Sequence, residues 1–328
     1  MRNSLVTGGA GFIGSHLCEA LLKRGDKVTV VDDESTGRRN NLRNIENNPN
    51  FEFVAGSVSD DTLVKELVST ANHVYHLAAA VGVALISKEP IQTIERNIYP
   101  TELLLAEVAQ RHADGHDIKM FLASTSEVYG KNPKPKWTEE DDLVFGATTR
   151  PRWSYGASKA IDEFLALAYW YQKKTPVVIG RFFNVVGPRQ TGAYGMVLPR
   201  FIDAVSAGKS PLVHSDGSQI RCFAHVHDVL DGVLKLMDTD AALGEVFNIG
   251  SDHPVTILEL ANLVIQAIDP NVPVKFQTYE EAYNKSFEDI LRRVPDLTKL
   301  KSTIDYQPQY NLEQIIADTI RHKNAGDE

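Results

Sequence analysis

A glycine-rich turn near the amino terminus constrains the fold more than any other feature of this sequence. It follows a short apolar run at residues 4–6 and precedes a helical pattern over about 15–24. A strand, a glycine turn and a helix in this order direct backbone N–H groups and a helix N-terminus at a pyrophosphate. The turn therefore predicts a dinucleotide site. Its expected cofactor-binding residues are Gly8, Gly11, Phe12, Ile13 and Gly14.

An acidic residue ends the second predicted strand. The β-branched run at 27–31 leads into Asp32, which lies 18 residues after Gly14. A carboxylate at this place accepts hydrogen bonds from the adenosine ribose hydroxyls and repels a 2′-phosphate. We therefore expect the cofactor to be NAD rather than NADP.

Short apolar runs alternate with longer helical segments through the first half of the chain. Runs at 51–54, 74–77, 119–123 and 177–181 are typical of strands, and 245–249 is typical of one more. This alternation predicts βαβ units and a parallel sheet that is covered on both faces. The expected fold class is α/β, a Rossmann-type doubly wound parallel sheet with a smaller C-terminal substrate-binding region.

The pattern becomes irregular at about residue 184, where Gly and Pro are more frequent. We expect residues 1–183 to form the dinucleotide-binding domain, with residues 222–250 returning to it. Residues 184–221 and 251–328 are expected to form the smaller region, which binds the substrate.

Composition narrows the partners and the cellular location. The 328 residues carry a net charge of −9 without a Lys/Arg block, which argues against nucleic acid and anionic membranes as partners. No apolar run approaches the ~18 residues that a membrane span needs, and the start of the sequence does not match a secretory leader. Cys18 and Cys222 are too few for a disulfide framework, so we expect a cytoplasmic protein.

Tyr155 and Lys159 form a Tyr-x-x-x-Lys motif at the start of a predicted helix. Residues four apart share a helix face, so the ammonium can lie near the phenol. A phenol with an ordinary pKa of about 10 is a poor base at neutral pH, and a neighbouring cation favours the phenolate. We predict that Tyr155 is a general base with a lowered pKa. Taken alone, the motif also fits two unrelated residues of an amphipathic helix.

The glycine spacing GxxGxxG, Asp32 and the Tyr155/Lys159 motif together resemble the extended short-chain dehydrogenase/reductases of the NAD-dependent epimerase/dehydratase family. Members of this family modify nucleotide sugars, and the resemblance covers most of the chain. It implies that NAD is the cofactor and that a UDP-sugar is the substrate. Ser57 departs from the pattern, because the family usually has an Asp there that contacts the adenine amine. The further cofactor-contacting residues that the resemblance implies are Val58, Leu77, Ala78, Ala79, Asn97, Tyr155 and Lys159.

The segment after the fifth strand carries the remaining candidate catalytic residues. The resemblance implies that Thr125 completes the catalytic set and holds the 4-oxygen of the sugar. Glu127 stands where decarboxylases and 4,6-dehydratases carry an acid, and the pair Ser126-Glu127 resembles UDP-glucuronate decarboxylases. The approach at 151–155 resembles decarboxylases and related enzymes that act on UDP-glucuronate. The alternative for Glu127 is a solvated loop carboxylate.

Later segments resemble the family's substrate-binding stretches. The run at 181–189 matches an RxFNxxGP pattern, and arginines in such stretches can bind phosphate in a bidentate way. The run at 193–196 looks more like UDP-sugar 4-epimerases, so the motifs point in two directions. The implied substrate-binding residues are Ser126, Arg152, Asn184, Arg189, Val197, Arg221, Arg293 and Asp296.

His225 and His227 have a spacing that could suggest a metal site, with both rings on one side of a strand. A third ligand is not apparent from the sequence, and the family needs no metal. We therefore expect no metal, and interpret these histidines as packed or hydrogen-bonded side chains.

The resemblance implies a reaction through a transient 4-keto sugar, and several enzymes share this step. We favour a UDP-glucuronate decarboxylase. The alternatives are a UDP-glucose or UDP-glucuronate 4-epimerase, a nucleotide-sugar 4,6-dehydratase and, from a different class, a non-catalytic NAD-binding sensor. In a decarboxylase, Glu127 would repel the substrate carboxylate and later, when protonated, return hydrogen to C5. The resemblance also implies a homodimer through the helices at 95–110 and 155–169.

Overall fold

A seven-stranded parallel sheet forms the centre of the computed structural model, which describes residues 1–80, 90–193, 196–278, 281 and 288–326. The strands, in chain order, are β1 (Asn3–Thr7), β2 (Lys27–Asp32), β3 (Phe51–Ala55), β4 (His73–His76), β5 (Lys119–Thr125), β6 (Val177–Phe182), β7 (Val185–Val186), β8 (Leu212–His214), β9 (Ile220–Cys222), β10 (Ala224–His225), β11 (Val246–Ile249), β12 (Pro254–Thr256), β13 (Lys275–Gln277) and β14 (Arg292–Arg293). The central sheet has the order β3-β2-β1-β4-β5-β6-β11, and all neighbouring strands in it are parallel. The order reverses between β1 and β4, as in a doubly wound dinucleotide-binding sheet.

Helices cover both faces of this sheet, and others belong to the smaller layer described below. The helices, in chain order, are α1 (Phe12–Arg24), α2 (Asp61–Thr70), α3 (Pro90–Ala113), α4 (Trp153–Lys173), α5 (Val197–Ser206), α6 (Val226–Met237), α7 (Ile257–Ile268), α8 (Thr298–Ile304) and α9 (Leu312–Asn324). Successive strand residues point to opposite faces, so Leu5 joins the apolar core under α2, α3 and α4, whereas Val6 joins the core under α1, α6 and α8. The predicted α/β, doubly wound architecture is confirmed.

The later segments build a smaller layer beside the carboxyl ends of the central strands. Strand β9 pairs antiparallel with β12 and parallel with β14, and β8 pairs with β13. A third apolar core joins α5, α7 and α9. Strand β11 lies in the central sheet beside β6. The proposed division of the chain into two regions stays a prediction. Within the described ranges, no helix is both long and apolar enough to cross a membrane.

Candidate active site

A cavity of about 630 Å³ runs along the carboxyl ends of the central strands and extends to α5. Most residues that the sequence predicts for the site line it. They are Gly8, Gly11, Phe12, Ile13, Gly14, Asp32, Val58, Leu77, Ala78, Ala79, Thr125, Ser126, Glu127, Arg152, Tyr155, Asn184, Val197, Arg221 and Arg293. Among the residues that the structure describes, the predicted ones that do not line the cavity are Asn97, Lys159, Arg189 and Asp296.

The glycine turn packs backbone against backbone, which leaves a shallow cradle for a ligand. Gly8 has a φ of +72°, and a Cβ on it would lie 2.8 Å from the amide nitrogen of Ala78. A Cβ on Gly14 would lie 2.2 Å from the carbonyl oxygen of Gly8. Helix α1 begins after Gly11, which has no side chain to occupy the first-turn N–H groups. These N–H groups can therefore bind a pyrophosphate, as a dinucleotide requires.

Asp32 is held rigidly at the end of β2. Its Oδ2 accepts a hydrogen bond from the backbone N–H of Ala10 at 2.9 Å, and its Oδ1 accepts one from Glu34 at 2.8 Å. Burial raises the pKa of Asp32 above its ordinary value, although both backbone donors oppose this. Each oxygen keeps a second lone pair, so the carboxylate can still accept ribose hydroxyls. The hydroxyl of Ser57 accepts from the N–H of Ser59 at 3.1 Å and also borders the cavity.

Asn97 connects the cofactor-lining turn to the catalytic helix. Its buried side chain accepts from the backbone N–H of Ala80 at 2.8 Å and donates to the hydroxyl of Ser158 at 3.1 Å. These bonds give Asn97 a structural role between α3 and α4. They fix α3 and α4 relative to the turn at residues 77–79.

Tyr155 lies in the first turn of α4, close to Thr125 and Glu127. We expected the pKa of this phenol to be lowered, but among the described residues it is raised. Burial raises the pKa of Tyr155 well above its ordinary value, the Glu127 carboxylate raises it further, and a hydrogen bond with Thr125 only partly opposes them. The Lys159 ammonium instead donates to the buried carboxylate of Asp162 at 2.7 Å.

Glu127 is clamped between two arginines rather than solvated. Arg152 Nη1 donates to Glu127 Oε2 at 2.8 Å, and Arg293 Nη2 donates to Oε1. Burial would raise the pKa of Glu127, but Arg293 and Arg152 outweigh it and lower the pKa to about 2. The carboxylate is therefore ionised at neutral pH. This low pKa does not favour the role of a protonated Glu127 as the acid for C5, which stays a prediction.

Three guanidinium groups from distant parts of the chain face the cavity. Arg221 donates to Asp289 at 3.2 Å, and Arg152 lies 4.0 Å from the same carboxylate. With Arg293, they outnumber the two carboxylates Glu127 and Asp289, so this end of the cavity suits an anionic ligand. Asp289 could not be predicted from the sequence, because its partners lie far away in the chain.

Asn184 also reaches this end of the cavity. Its φ of +33° lies in the left-handed region, which Asn tolerates better than most residues. Its Nδ2 donates to the carbonyl of Cys222 at 2.8 Å, which fixes the side chain beside β9.

Arg189 and Asp296 have structural contacts away from the cavity. Arg189 Nη2 donates to Glu19 at 2.5 Å, and Nη1 donates to the hydroxyl of Ser15 at 3.1 Å. Asp296 accepts from the backbone N–H of Thr298 at 2.9 Å, at the start of α8. The structure does not bring these two predicted substrate-binding residues to the ligand cavity. Of the epimerase-like run at 193–196, Tyr194 and Gly195 lie outside the described residues.

The two histidines of the possible metal motif are packed against an aromatic ring and an acid. His225 stacks on Tyr310 with ring centroids 3.9 Å apart, and its Nε2 lies 3.1 Å from Asp318. The His227 ring meets His225 edge to face at 4.8 Å. These contacts agree with the interpretation as packed side chains.

Comparisons with known proteins match the whole fold and most of the sequence. A family model described as GDP-mannose 4,6 dehydratase matches residues 5–319. The UDP-N-acetyl-alpha-D-glucosaminuronate decarboxylase of Bacillus cytotoxicus is 39% identical over 321 residues, which cover 98% of this chain and 97% of the relative. UDP-glucuronic acid decarboxylase 4 of Arabidopsis thaliana is 34% identical over 99% of this chain and 70% of the relative.

Comparison with solved structures also matches this chain to enzymes that act on nucleotide sugars. The UDP-glucuronic acid 4-epimerase of Bacillus cereus, solved with UDP-glucuronic acid and NAD, is 27% identical, with a TM-score of 0.86 over 98% of this chain and 99% of that one. The UDP-glucose 4-epimerase of Thermotoga maritima is 28% identical, with a TM-score of 0.88 over 99% of this chain and 100% of that one. The resemblance inferred from the motifs is confirmed, and the chain belongs to the family of NAD-dependent nucleotide-sugar epimerases and dehydratases that the GDP-mannose 4,6 dehydratase model describes.

Proposed function

We propose that this protein is an NAD-dependent decarboxylase of a UDP-linked hexuronic acid. The observation that carries the proposal is Glu127, held between Arg152 and Arg293 beside the candidate base Tyr155. This arrangement offers fixed cationic groups to a sugar carboxylate next to the group that takes the 4-hydroxyl proton. The names of the decarboxylase relatives support the same reaction.

The residues of the cofactor end fit NAD. The N–H groups at the start of α1 would hold the pyrophosphate, and Asp32 would accept the adenosine ribose hydroxyls. When bound, NAD supplies the redox chemistry by accepting a hydride from C4 of the sugar and returning it at the end. A related dTDP-glucose 4,6-dehydratase from Streptomyces venezuelae, 27% identical, has NAD bound in its structure.

The chain's own residues move the protons and hold the sugar. Tyr155 takes the proton of the 4-hydroxyl, and Thr125 holds the same oxygen as it becomes a ketone. That ketone is β to the uronic carboxylate, so loss of CO₂ leaves an enolate with its charge on the 4-oxygen. This enolate takes a proton from solvent water at C5 before the hydride returns to C4. Arg152 and Arg293 keep the carboxylate oriented through their charge. The raised pKa of Tyr155 favours return of the proton to O4 when the hydride returns.

The experiment that tests this function offers several sugars to the purified protein. UDP-glucuronate, its 2-acetamido analogue, UDP-glucose and UDP-N-acetylglucosamine are incubated with NAD and followed by proton NMR and CO₂ release. We expect CO₂ and a UDP-pentose from one of the two uronates. Conversion of UDP-glucuronate to UDP-galacturonate without CO₂ would instead identify a 4-epimerase.

We expect NAD to bind at least about tenfold more tightly than NADP, because a 2′-phosphate would meet the ionised Asp32. Asp32→Ala should reduce the ratio between the dissociation constants of NADP and NAD. Titration calorimetry with both cofactors measures it, and circular dichroism checks that the variant is folded. Glu66→Ala is the matched control, since it removes an equal charge from an exposed position that does not line the cavity. Equal or tighter binding of NADP by the wild type would contradict the expectation.

We also propose that the protein is a homodimer through α3 and α4, which pack against each other. Their outer faces expose Ile94, Tyr99, Ile161 and Phe164, the last with 68% of its surface accessible. Such a patch on a monomer is a typical interaction site. Light scattering at micromolar concentration should give twice the chain mass, and Phe164→Lys should shift it toward the monomer. A monomer mass for the wild type would refute the dimer.

We place the protein in the cytoplasm, where nucleotide sugars and NAD are available. Cys18 and Cys222 support this location, because both are buried free thiols.

A further inference from the structure

Helix α4 buries an ion pair beneath the cavity that the proposed mechanism does not use. Lys159 Nζ donates to Asp162 Oδ2 at 2.7 Å, and the two side chains are 2% and 0% exposed. The residues are three apart in the helix, so they lie on one face. At this depth solvent cannot replace either partner, and loss of one leaves a buried charge without compensation.

The other charged groups nearby are already compensated or neutral. Glu163, the next residue of α4, pairs with Arg181 of β6 at 2.7 Å. His76 of β4 is neutral, since burial and then the Lys159 charge lower its pKa to about 3. Its ring bonds Thr7 of β1 and Thr101 of α3. Within the described ranges, Asp162 is thus the carboxylate in ion-pair contact with Lys159.

The reacting side of the helix carries its own charges. Tyr155 lies one turn before Lys159, and the phenol faces Glu127 and Arg293 from other elements. These two form an ion pair with each other. Lys159 follows one helical turn after Tyr155 on the same face, so a charged ammonium there adds positive potential near the phenol. An ammonium has three N–H donors, and the bond to Asp162 leaves two for the reacting side.

We propose that Asp162 is a positioning residue, which holds Lys159 charged and oriented beneath the cavity so that the lysine can act on Tyr155 and on the cofactor. The catalytic part of this proposal rests on the proposed function. Without the carboxylate, a buried ammonium gives up its proton more readily as the pH rises. A merely structural role for Asp162 predicts coupling with Lys159 in stability, but no such dependence of turnover on pH and no coupling in NAD affinity.

The test is a double-mutant cycle with Asp162→Asn, Lys159→Met and the double variant. We expect Asp162→Asn to lower kcat by about tenfold or more near pH 8.5 and by less near pH 6.5. In the Lys159→Met background the same substitution should change kcat by less than about twofold. An equal, pH-independent loss in both backgrounds would overturn the proposal.

Two further readouts do not need the sugar substrate. NAD affinity by calorimetry should fall by about threefold or more in Asp162→Asn, and should be unaffected by that change in the Lys159→Met background. The double variant should also melt at a higher temperature than Lys159→Met, because it no longer buries an unpaired carboxylate. If wild type does not turn over UDP-uronates, the proposed function fails, whereas the coupling in NAD affinity still decides the role of Asp162.

Glu163→Gln is the matched control, because it removes a neighbouring buried carboxylate whose partner is Arg181. It should show no coupling to Lys159→Met in NAD affinity, and coupling as large as that of Asp162 would contradict the proposal. Should Asp162→Asn not fold, Asp162→Glu replaces it. This variant keeps the carboxylate and should retain the wild-type pH dependence, and loss of that dependence without loss of the fold would count against the role.

Discussion

Tyr155→Phe is expected to lower turnover by about 10³-fold or more while the substrate binds almost as before. The substitution removes one hydroxyl, and the ring still packs in the first turn of α4. Without that hydroxyl the site has lost the group that takes the 4-hydroxyl proton. Binding depends mainly on Arg152, Arg221 and Arg293, which the change leaves in place.

The measurement is kcat for the UDP-uronate that wild type accepts, together with its dissociation constant by calorimetry. Tyr129→Phe is the matched control, since Tyr129 is also buried but its hydroxyl bonds Asn248 at 2.7 Å instead of lining the cavity. The control should lose stability and keep most of its turnover. Retention of more than about 5% of wild-type turnover by Tyr155→Phe would exclude the phenol as the base.

Glu127→Gln is expected to slow CO₂ release by about 10²-fold or more. In the structure the ionised carboxylate orients Arg152 and Arg293, and a neutral amide cannot hold two guanidinium groups in the same way. We therefore expect misplaced arginines and a badly oriented substrate carboxylate. Hydride transfer should suffer less, so a 4-keto intermediate should accumulate.

Rapid-quench NMR of the sugar, together with CO₂ release, separates the two steps for wild type and variant. Glu139→Gln is the control, because it neutralises a half-buried carboxylate that accepts from the backbone of Asn248 outside the cavity. Loss of a buried ion-pair partner costs about 3–5 kcal/mol, so folding must be checked first. Equal rates of CO₂ release would leave Glu127 without a part in the reaction.

The same ion pairs have a consequence for acid stability. The folded pKa of Glu127 is lowered to about 2, below its value in an unfolded chain. Its contribution to stability is therefore complete above the unfolded value of about 4.3 and is lost as the pH falls toward 2. Glu127→Gln should consequently flatten the decline of stability over that range.

The central sheet could be predicted because its signals are local. β-branched runs and the glycine turn consist of consecutive residues, and all seven predicted strands match observed ones within two residues. Helix α1 was expected from about residue 15 but begins at Phe12. The prediction starts too late because the glycines before residue 15 interrupt the apolar periodicity. Boundaries of this kind depend on backbone packing that the pattern does not encode.

The ion pairs were much harder to predict, because the tertiary fold decides which charged side chains meet. The sequence suggested Arg189 and Arg293 as similar substrate ligands. In the structure Arg189 pairs with Glu19, 170 residues away, whereas Arg293 reaches the cavity. The three-residue spacing of Lys159 and Asp162 in a predicted helix indicates that their side chains can pair. The Tyr-x-x-x-Lys motif by itself does not indicate this pair.

The clamp on Glu127 joins parts of the chain that are far apart. Glu127 follows β5, Arg152 precedes α4, and Arg293 comes 166 residues after Glu127, in β14. A chimera whose last part lacked an arginine at the place of Arg293 would leave Glu127 with one guanidinium, and this group of side chains would lose its excess positive charge. The three charges thus form a matched set, and recombination between relatives preserves it only when both ends of the chain are exchanged together.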